Sequence, residues 1–494
     1  MGKLLNKENN FKNNLALINK LSKEKINKEK FGEHFNEGEN YLSIIRVWGA
    51  ALNCWKKNNF KENFKERLIF NYRKIKANKR ISEKLNYQIK NNQVVFFPIS
   101  ETQTMIVEPI LKNTKDSYIL RFDHALNGLK NEFEKRKLPY INIEYFLNSE
   151  IKNRIKNKRK SFNWVLQAHK SIAKQKKDYI TLSVFFNYYF GNRNRFYEII
   201  EFMETFKEFL IQKKPSLIFL ADDGNDIPRA VSYLCEKNKI PCIVCQHGNF
   251  DSNSIIIGET FATKKLVFGD SFKEILINKG TNKKDIEVVG SPIYDDIKKI
   301  SKKDKLKFKK NLGIQDDRKI ILLDSARGDT EEFKEKLNHI IKTIKNSNFK
   351  LIIKQHPCEY RDDKYKNIYN KIANEHNVPI IISQDKMSDM LNISDVFITR
   401  FSTTMIEALA LDIPVILLNT KRESIYENFP ESKRVLEQIT NLNKFEEKLK
   451  SILESKDTKP IIKNRKRILE NNAGKIDGKT TERIVKMINK LKLK

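Results

Sequence analysis

From residue 93 onward the chain alternates short, wholly apolar runs with longer stretches whose apolar positions recur every three or four residues. QVVFFPIS (93–100), SYILRF (117–122), PYINIEYF (139–146), SLIFLA (216–221), IPCIVCQ (240–246), KKLVFG (264–269) and IEVVG (286–290) predict a first set of strands. A basic linker over 298–311 leads to a second set: KIILLD (319–324), KLIIKQ (350–355), VPIIIS (378–383), DVFIT (395–399) and IPVILLN (413–419). Apolar runs without period-two alternation suit strands covered on both faces. Their alternation with helical stretches predicts an α/β protein with two Rossmann-like, doubly wound parallel-sheet domains. Helices are expected over about 226–237, where Pro228 falls in the first turn, and over 331–345 and 403–411; residues 430–494 read as helices only. The expected organisation is a helical extension (1–92), an N-terminal Rossmann-like domain (93–297), a C-terminal one (298–430) and C-terminal helices (431–494).

The extension has a different pattern. Ile44, Ile45, Trp48, Leu52 and Trp55 recur near the helical period, and basic residues follow directly. Such a helix packs its stripe against the main body or lies on an anionic membrane surface. No apolar run reaches the roughly 18 residues of a membrane span, and MGKLLNKENNFKNN lacks the apolar core of a secretory signal. The expectation is a cytoplasmic protein, peripheral at the membrane's inner face if residues 1–92 bind anionic lipid.

Charge changes this picture little. The 494 residues carry a formal charge of +33, from 95 Lys plus Arg against 62 Asp plus Glu. The first 92 residues contribute +12 of it, so the excess is spread along the chain. Lys dominates, whereas Arg is the better phosphate fork, and no nucleic-acid motif is present. No specific nucleic-acid partner is expected. Aromatics at 10% exclude wholesale disorder. Cys242 and Cys245 match C-x-x-C formally, but three-residue spacing on a strand points the thiols to opposite faces, so neither a zinc nor a redox site is read here.

Ligands of doubly wound folds bind beyond the carboxyl ends of the strands, so the residues that follow each strand carry the candidate chemistry. After 216–221 come Asp222 and Asp223, a candidate base pair; Asn225 and Asp226 suit helix capping instead. After 240–246 come Gln246, His247 and Gly248, the histidine being a second candidate base. In the second set, strand 319–324 precedes Ser325 and Arg327, a guanidinium suited to phosphate. Strand 350–355 ends in Lys354, Gln355, His356 and Pro357. Strand 395–399 leads to Arg400, Ser402, Thr403, Thr404 and Glu407, either an anion site at a helix start or a self-sufficient Thr404–Glu407 capping box.

Taken together, the QHG loop, KQHP, SDVFITRFSTTMIEALALDIPVILLN and VVGSPIYDD resemble the two-lobed GT-B glycosyltransferases, nearest to the capsule-synthesis and CDP-glycerol glycerophosphotransferase groups. The resemblance covers about 210–420. It implies a metal-independent transferase of surface-polysaccharide synthesis, without a cofactor, that moves a sugar or glycerophosphate from a nucleotide-sugar or CDP-glycerol donor to a glycan or lipid-linked acceptor. It makes His247 the candidate base, His356, Ser402, Thr403 and Thr404 the phosphate contacts and Glu407 a ribose contact, with Arg327, Lys354 and Arg400 beside them and a hinge at Gly290 and Pro292. Bacterial sialyltransferases share the Asp222-Asp223-Gly224, His356-Pro357 and Ser402-Thr403 order and would put the base on a carboxylate. UDP-N-acetylglucosamine 2-epimerase shares the two lobes and a helix start followed by Glu; a UDP-sugar epimerase is therefore the alternative function, with a non-enzymatic basic nucleic-acid binder as a further one.

Overall fold

A computed structural model describes residues 89–122, 129–160, 193–250, 252, 260–325, 331–356, 359–360, 362–400, 402–420, 422, 428–453 and 458–492. The amphipathic stretch around Trp48 and Trp55, and with it the membrane expectation for 1–92, lies outside these residues, as does Arg327.

Two parallel sheets form the frame. The first holds β1 (Val94–Phe97), β2 (Ser117–Arg121), β3 (Tyr140–Asn142), β4 (Leu217–Leu220), β5 (Cys242–Cys245), β6 (Lys264–Val267) and β7 (Ile286–Val288), in the order β3-β2-β1-β4-β5-β6-β7. The second holds β8 (Lys319–Asp324), β9 (Phe349–Lys354), β10 (Ile380–Ser383), β11 (Val396–Thr399), β12 (Val415–Leu417) and β13 (Leu436–Gln438), in the order β10-β9-β8-β11-β12-β13. Every pairing between these strands is parallel. This is the two-lobed, Rossmann-like architecture that the apolar runs predict. In each sheet the order reverses once, between β1 and β4 and between β8 and β11, and such switch points open the crevice that binds ligands.

Helices cover both faces, which is why the strands need no polar side. On one face of the first sheet, Val95, Phe97, Ile218, Leu220 and Cys242 pack on Phe202, Phe206 and Phe209 of the Arg193–Lys213 helix. On the other, Val94, Phe96, Phe219 and Cys245 pack on Ile106 and Ile110 of the Glu101–Lys112 helix. Cys242 and Cys245 thus face opposite sides of the sheet. The second sheet is divided the same way, with Ile321 and Leu323 on one face and Ile320 and Leu322 on the other.

Three local expectations are corrected. The stretch read as a basic linker is largely the helix Lys302–Asn311; Ser301 caps it, accepting from the Asp304 N–H at 3.1 Å. Its apolar residues are too few to show a period, but the cap is written in the sequence. PYINIEYF is strand only over Tyr140–Asn142 and turns into a 3-10 helix over Ile143–Phe146. The C-terminal region is not helices alone: Leu436-Glu-Gln is the edge strand β13, hidden because Glu437 breaks the apolar run and is buried against Lys448 at 3.0 Å.

The last two helices split between the lobes. Ile461, Ile468 and Ala473 of the Lys459–Ala473 helix join the core of the second lobe. The chain then turns at Gly474, with φ +64, where a Cβ would meet the Phe268 carbonyl oxygen at 2.6 Å. The Thr480–Leu491 helix crosses back, and its Ile484 and Ile488 complete the face of the first lobe formed by Phe96, Ile106, Ile110 and Phe219. Asp295 anchors this return, its carboxylate accepting from the Thr480 and Thr481 N–H groups at 2.9 and 2.7 Å. Arg483 donates to the Val289 carbonyl at 3.0 Å, beside Gly290, whose φ of +88 bends the chain between the lobes. Pro292 opens the short 3-10 turn that follows.

Candidate functional site

In the first lobe the chemistry sits after β4 and β5. Asp222 closes a tight turn: its Oδ1 accepts from the Gly224 N–H at 2.9 Å and its Oδ2 from the Asn225 amide. Asp223 is buried, with its Oδ2 3.1 Å from Lys265 Nζ and accepting from Thr260 Oγ1 at 2.7 Å. Lys265 lies on β6 and is itself buried, so the two charges neutralise each other where water cannot solvate them. Both carboxylates are therefore held in bonds that shape the β4 turn. Neither Asn225 nor any other side chain caps the Asp226–Lys237 helix at its N-cap position.

His247 stands differently. It is half-buried and has no hydrogen-bond partner among the described residues. Its neighbour fixes it in place. Gln246 is buried, its Oε1 accepts from the Phe268 N–H at 2.8 Å, and its Nε2 donates to the Gly248 carbonyl at 2.9 Å. One side chain thus spans His247 and ties its loop to the end of β6. The loop also reaches the second lobe, where Asn428 Nδ2 donates to the Phe250 carbonyl at 3.2 Å.

In the second lobe, donors gather after β8, β9 and β11, on both sides of the switch point. Lys354 is buried; its ammonium donates to the Gln355 carbonyl at 2.8 Å and the Tyr360 hydroxyl at 2.5 Å and lies 5.0 Å from the centre of that ring. The His356 N–H donates to Ser325 Oγ at 2.9 Å, which ties the β9 end to the β8 end. Arg400 Nε lies 3.7 Å from Glu332 Oε1. Ser402 Oγ is bonded to Thr404 Oγ1 and accepts from the Thr404 N–H at 3.3 Å. Ser402, not Thr403, thus holds the start of the Thr404–Ala410 helix, because Thr403 makes no side-chain cap bond.

Glu407 is not the partner in a capping box. Burial pushes its carboxyl up to about 7, against the pull of nearby Lys386 toward the ionised form. A box carboxylate, bonded to N–H groups, would shift the other way. Tyr294, on the turn between the lobes, is buried close enough to Glu407 for that charge to add to the burial that raises its phenol. Tyr294 also packs its ring 6.0 Å from that of Phe268 in the first lobe. Lys265, Tyr294 and Lys386 escape a reading based on strand-end motifs. Lys265 carried a signal, a second lysine inside an otherwise apolar strand; the others did not.

A family model described as UDP-N-acetylglucosamine 2-epimerase matches residues 191–489, more than half of the chain. No curated protein sequence matches it. Among solved structures, a glycosyltransferase from Rickettsia africae superposes with a TM-score of 0.52 at 14% identity, over 81% of this chain and 99% of its own. The UDP-GlcNAc 2-epimerase of Methanocaldococcus jannaschii gives 0.50 at 18% identity, over 81% and 99%. That of Neisseria meningitidis, bound to UDP-GlcNAc, gives 0.50 at 14% identity, over 81% and 100%. At such identities these structures support the fold. The family match overturns the expectation of a polysaccharide-building glycosyltransferase or glycerophosphotransferase, and of the resemblance stated from the sequence the comparisons support the two-lobed fold shared by glycosyltransferases and UDP-GlcNAc 2-epimerases.

Proposed function

The chain belongs to the UDP-N-acetylglucosamine 2-epimerase family, and on that footing we propose that it is a sugar-nucleotide epimerase acting on a UDP-linked sugar. The observation that carries the reading is the reach of the family match: residues 191–489 include the His247 loop of the first lobe and the His356 and Ser402–Glu407 segments of the second. The solved epimerase of Neisseria meningitidis holds UDP-GlcNAc in the same fold.

The residues suit such a substrate. The nucleotide's phosphates would meet Lys354, His356, Arg400 and the hydroxyls of Ser402, Thr403 and Thr404. Donors fixed in place stabilise phosphate charge without the reorganisation that water requires. Glu407 offers its carboxyl oxygens to the ribose hydroxyls. Inverting C2 of a UDP-linked sugar breaks its C–H bond: the proton goes to a base, the C–H electron pair forms a C1–C2 double bond as the C1–O bond to UDP breaks, and a proton from solvent then adds to the opposite face as UDP re-forms the C1–O bond. His247 is the base in this reading. Its ring nitrogens are unengaged among the described residues, so one of them is open to take that first proton. Asp222 and Asp223 serve instead as the scaffold of the β4 turn, since a proton on Asp223 would break a buried ion pair.

The test uses the full chain and UDP-GlcNAc alone, followed by NMR. The expected result is a second set of sugar resonances, those of the C2 epimer, with no acceptor present. An unchanged nucleotide-sugar at high enzyme concentration would reject the epimerase reading. Loss of UDP binding in His356→Ala would support the phosphate assignment, and unchanged binding would remove it.

A further inference from the structure

One buried carboxylate outside the strand-end motifs is hydrogen-bonded into the surroundings of His356. Glu359 is 1% exposed and lies between β9 and the Lys364–Glu375 helix. Its Oε2 accepts from Ser325 Oγ at 2.8 Å and from the Tyr369 hydroxyl at 2.9 Å. Ser325, fully buried, has one hydrogen to give and gives it to Glu359. Its lone pairs therefore face the His356 N–H, which donates to it at 2.9 Å. The Glu359 N–H in turn donates to the His356 carbonyl at 2.8 Å. Both main-chain polar groups of His356 are thus bonded to one residue, once directly and once through Ser325.

A fold served by stability alone has little reason to place a carboxylate here, because an apolar residue of similar size avoids the desolvation cost. Two hydroxyls, one from the end of β8 and one from the Lys364–Glu375 helix, instead converge on this one acceptor in the β9 connection, and the same residue and Ser325 bond the main chain of the strand-end histidine. We propose that Glu359 is a positioning residue for the substrate's diphosphate: through Ser325 and its own N–H it sets the orientation of His356. The proposal rests on the nucleotide reading given above.

The experiment is an NMR titration of the full chain with UDP and, separately, with uridine, which lacks the phosphates. Wild type is compared with Glu359→Ala, Glu359→Gln, Ser325→Ala and His356→Ala, and each variant's fold is checked by circular dichroism. Glu359→Ala should weaken UDP binding about tenfold or more and leave uridine unchanged. Glu359→Gln, which keeps an acceptor oxygen, should recover most of the loss. Adding His356→Ala to Glu359→Ala should cost little further, since the two act as one unit. Equal weakening of UDP and uridine, or wild-type UDP binding in Glu359→Ala, would overturn the proposal and leave the nucleotide reading standing. Absence of UDP binding by wild type would end that reading and this one together. If Glu359→Ala does not fold, Ser325→Ala, which removes the acceptor of the His356 N–H, carries the same comparison: a loss confined to UDP supports the proposal, and unchanged UDP binding overturns it.

Discussion

Gln246 donates from its side-chain amide to the carbonyl of Gly248, 2.9 Å away, with His247 held between them. The same amide accepts from the Phe268 N–H. In Gln246→Ala that N–H and the Gly248 carbonyl lose their partner. A buried group left unpaired costs about 1–3 kcal/mol, so the urea midpoint should fall accordingly. Turnover should fall further than stability does, because the candidate base loses its fixed position. A variant with lower stability and wild-type turnover would separate Gln246 from the reaction.

The return of the last helix is tested at Asp295 and Gly269. Asp295→Ala removes the acceptor for two helix-start N–H groups and should cost about 1 kcal/mol, a usual figure for a lost cap. Gly269→Ala should cost more, because its Cβ would meet the Asn471 carbonyl oxygen at 2.2 Å. Ile488→Ala, which opens the core of the first lobe from the far end of the chain, should cost about 2–5 kcal/mol. Urea unfolding measures all three. Limited proteolysis should cut within 475–492 sooner in the first two.

Glu407 gives a pH dependence with a definite sign. Its folded carboxyl titrates at about 7, above its ordinary value of 4.5, so between those two values the folded chain holds a proton that the unfolded chain has released. Its contribution to stability is therefore greatest below about 4.5, falls as pH rises to about 7 and is level above. Glu144, also pushed up to about 7 by burial, adds a fall of the same sign. The difference between wild type and Glu407→Gln isolates Glu407. The variant should gain stability relative to wild type across that window, by about 3 kcal/mol at most. Parallel stability–pH curves for the two proteins would refute this.

Cys245 is buried, and burial pushes its thiol up to about 12. The Cys242 thiol is raised by a hydrogen bond with Cys235 and by burial. Thiolate is the nucleophile. Peptide-mapped alkylation of the native chain at pH 8 should therefore leave Cys235, Cys242 and Cys245 unlabelled, and denaturant should expose all three. Rapid native labelling of Cys242 or Cys245 would contradict the packing of β5.

The sheets were legible because the central strands, such as β1, β4, β5, β8 and β11, are apolar runs buried on both faces, and hydrophobicity alone marks such a strand. β13 was not, since three residues with a buried, ion-paired Glu437 carry no apolar signal. The strand-end rule brought out His247, His356 and Ser402 because the chain must leave each strand toward the crevice. It could not assign roles. Asp222 and His247 both follow strands, and only geometry separates a carboxylate spent on its own turn from an imidazole without a hydrogen-bond partner among the described residues. The role of Glu359 and Tyr369 was invisible for a further reason: the Glu359 carboxylate, which Tyr369 bonds, reaches the His356 N–H through Ser325, 31 residues earlier in the chain.

The crossing of the Thr480–Leu491 helix has a consequence for synthesis on the ribosome. Domains generally fold as units while the chain emerges, N-terminal first. Here the strands of the first lobe are made early, yet the face formed by Phe96, Ile106, Ile110 and Phe219 awaits Ile484 and Ile488. The second lobe is translated in between. The lobe that begins to fold first is thus completed last, and its nascent form carries an uncovered apolar surface, open to chaperones, for most of translation.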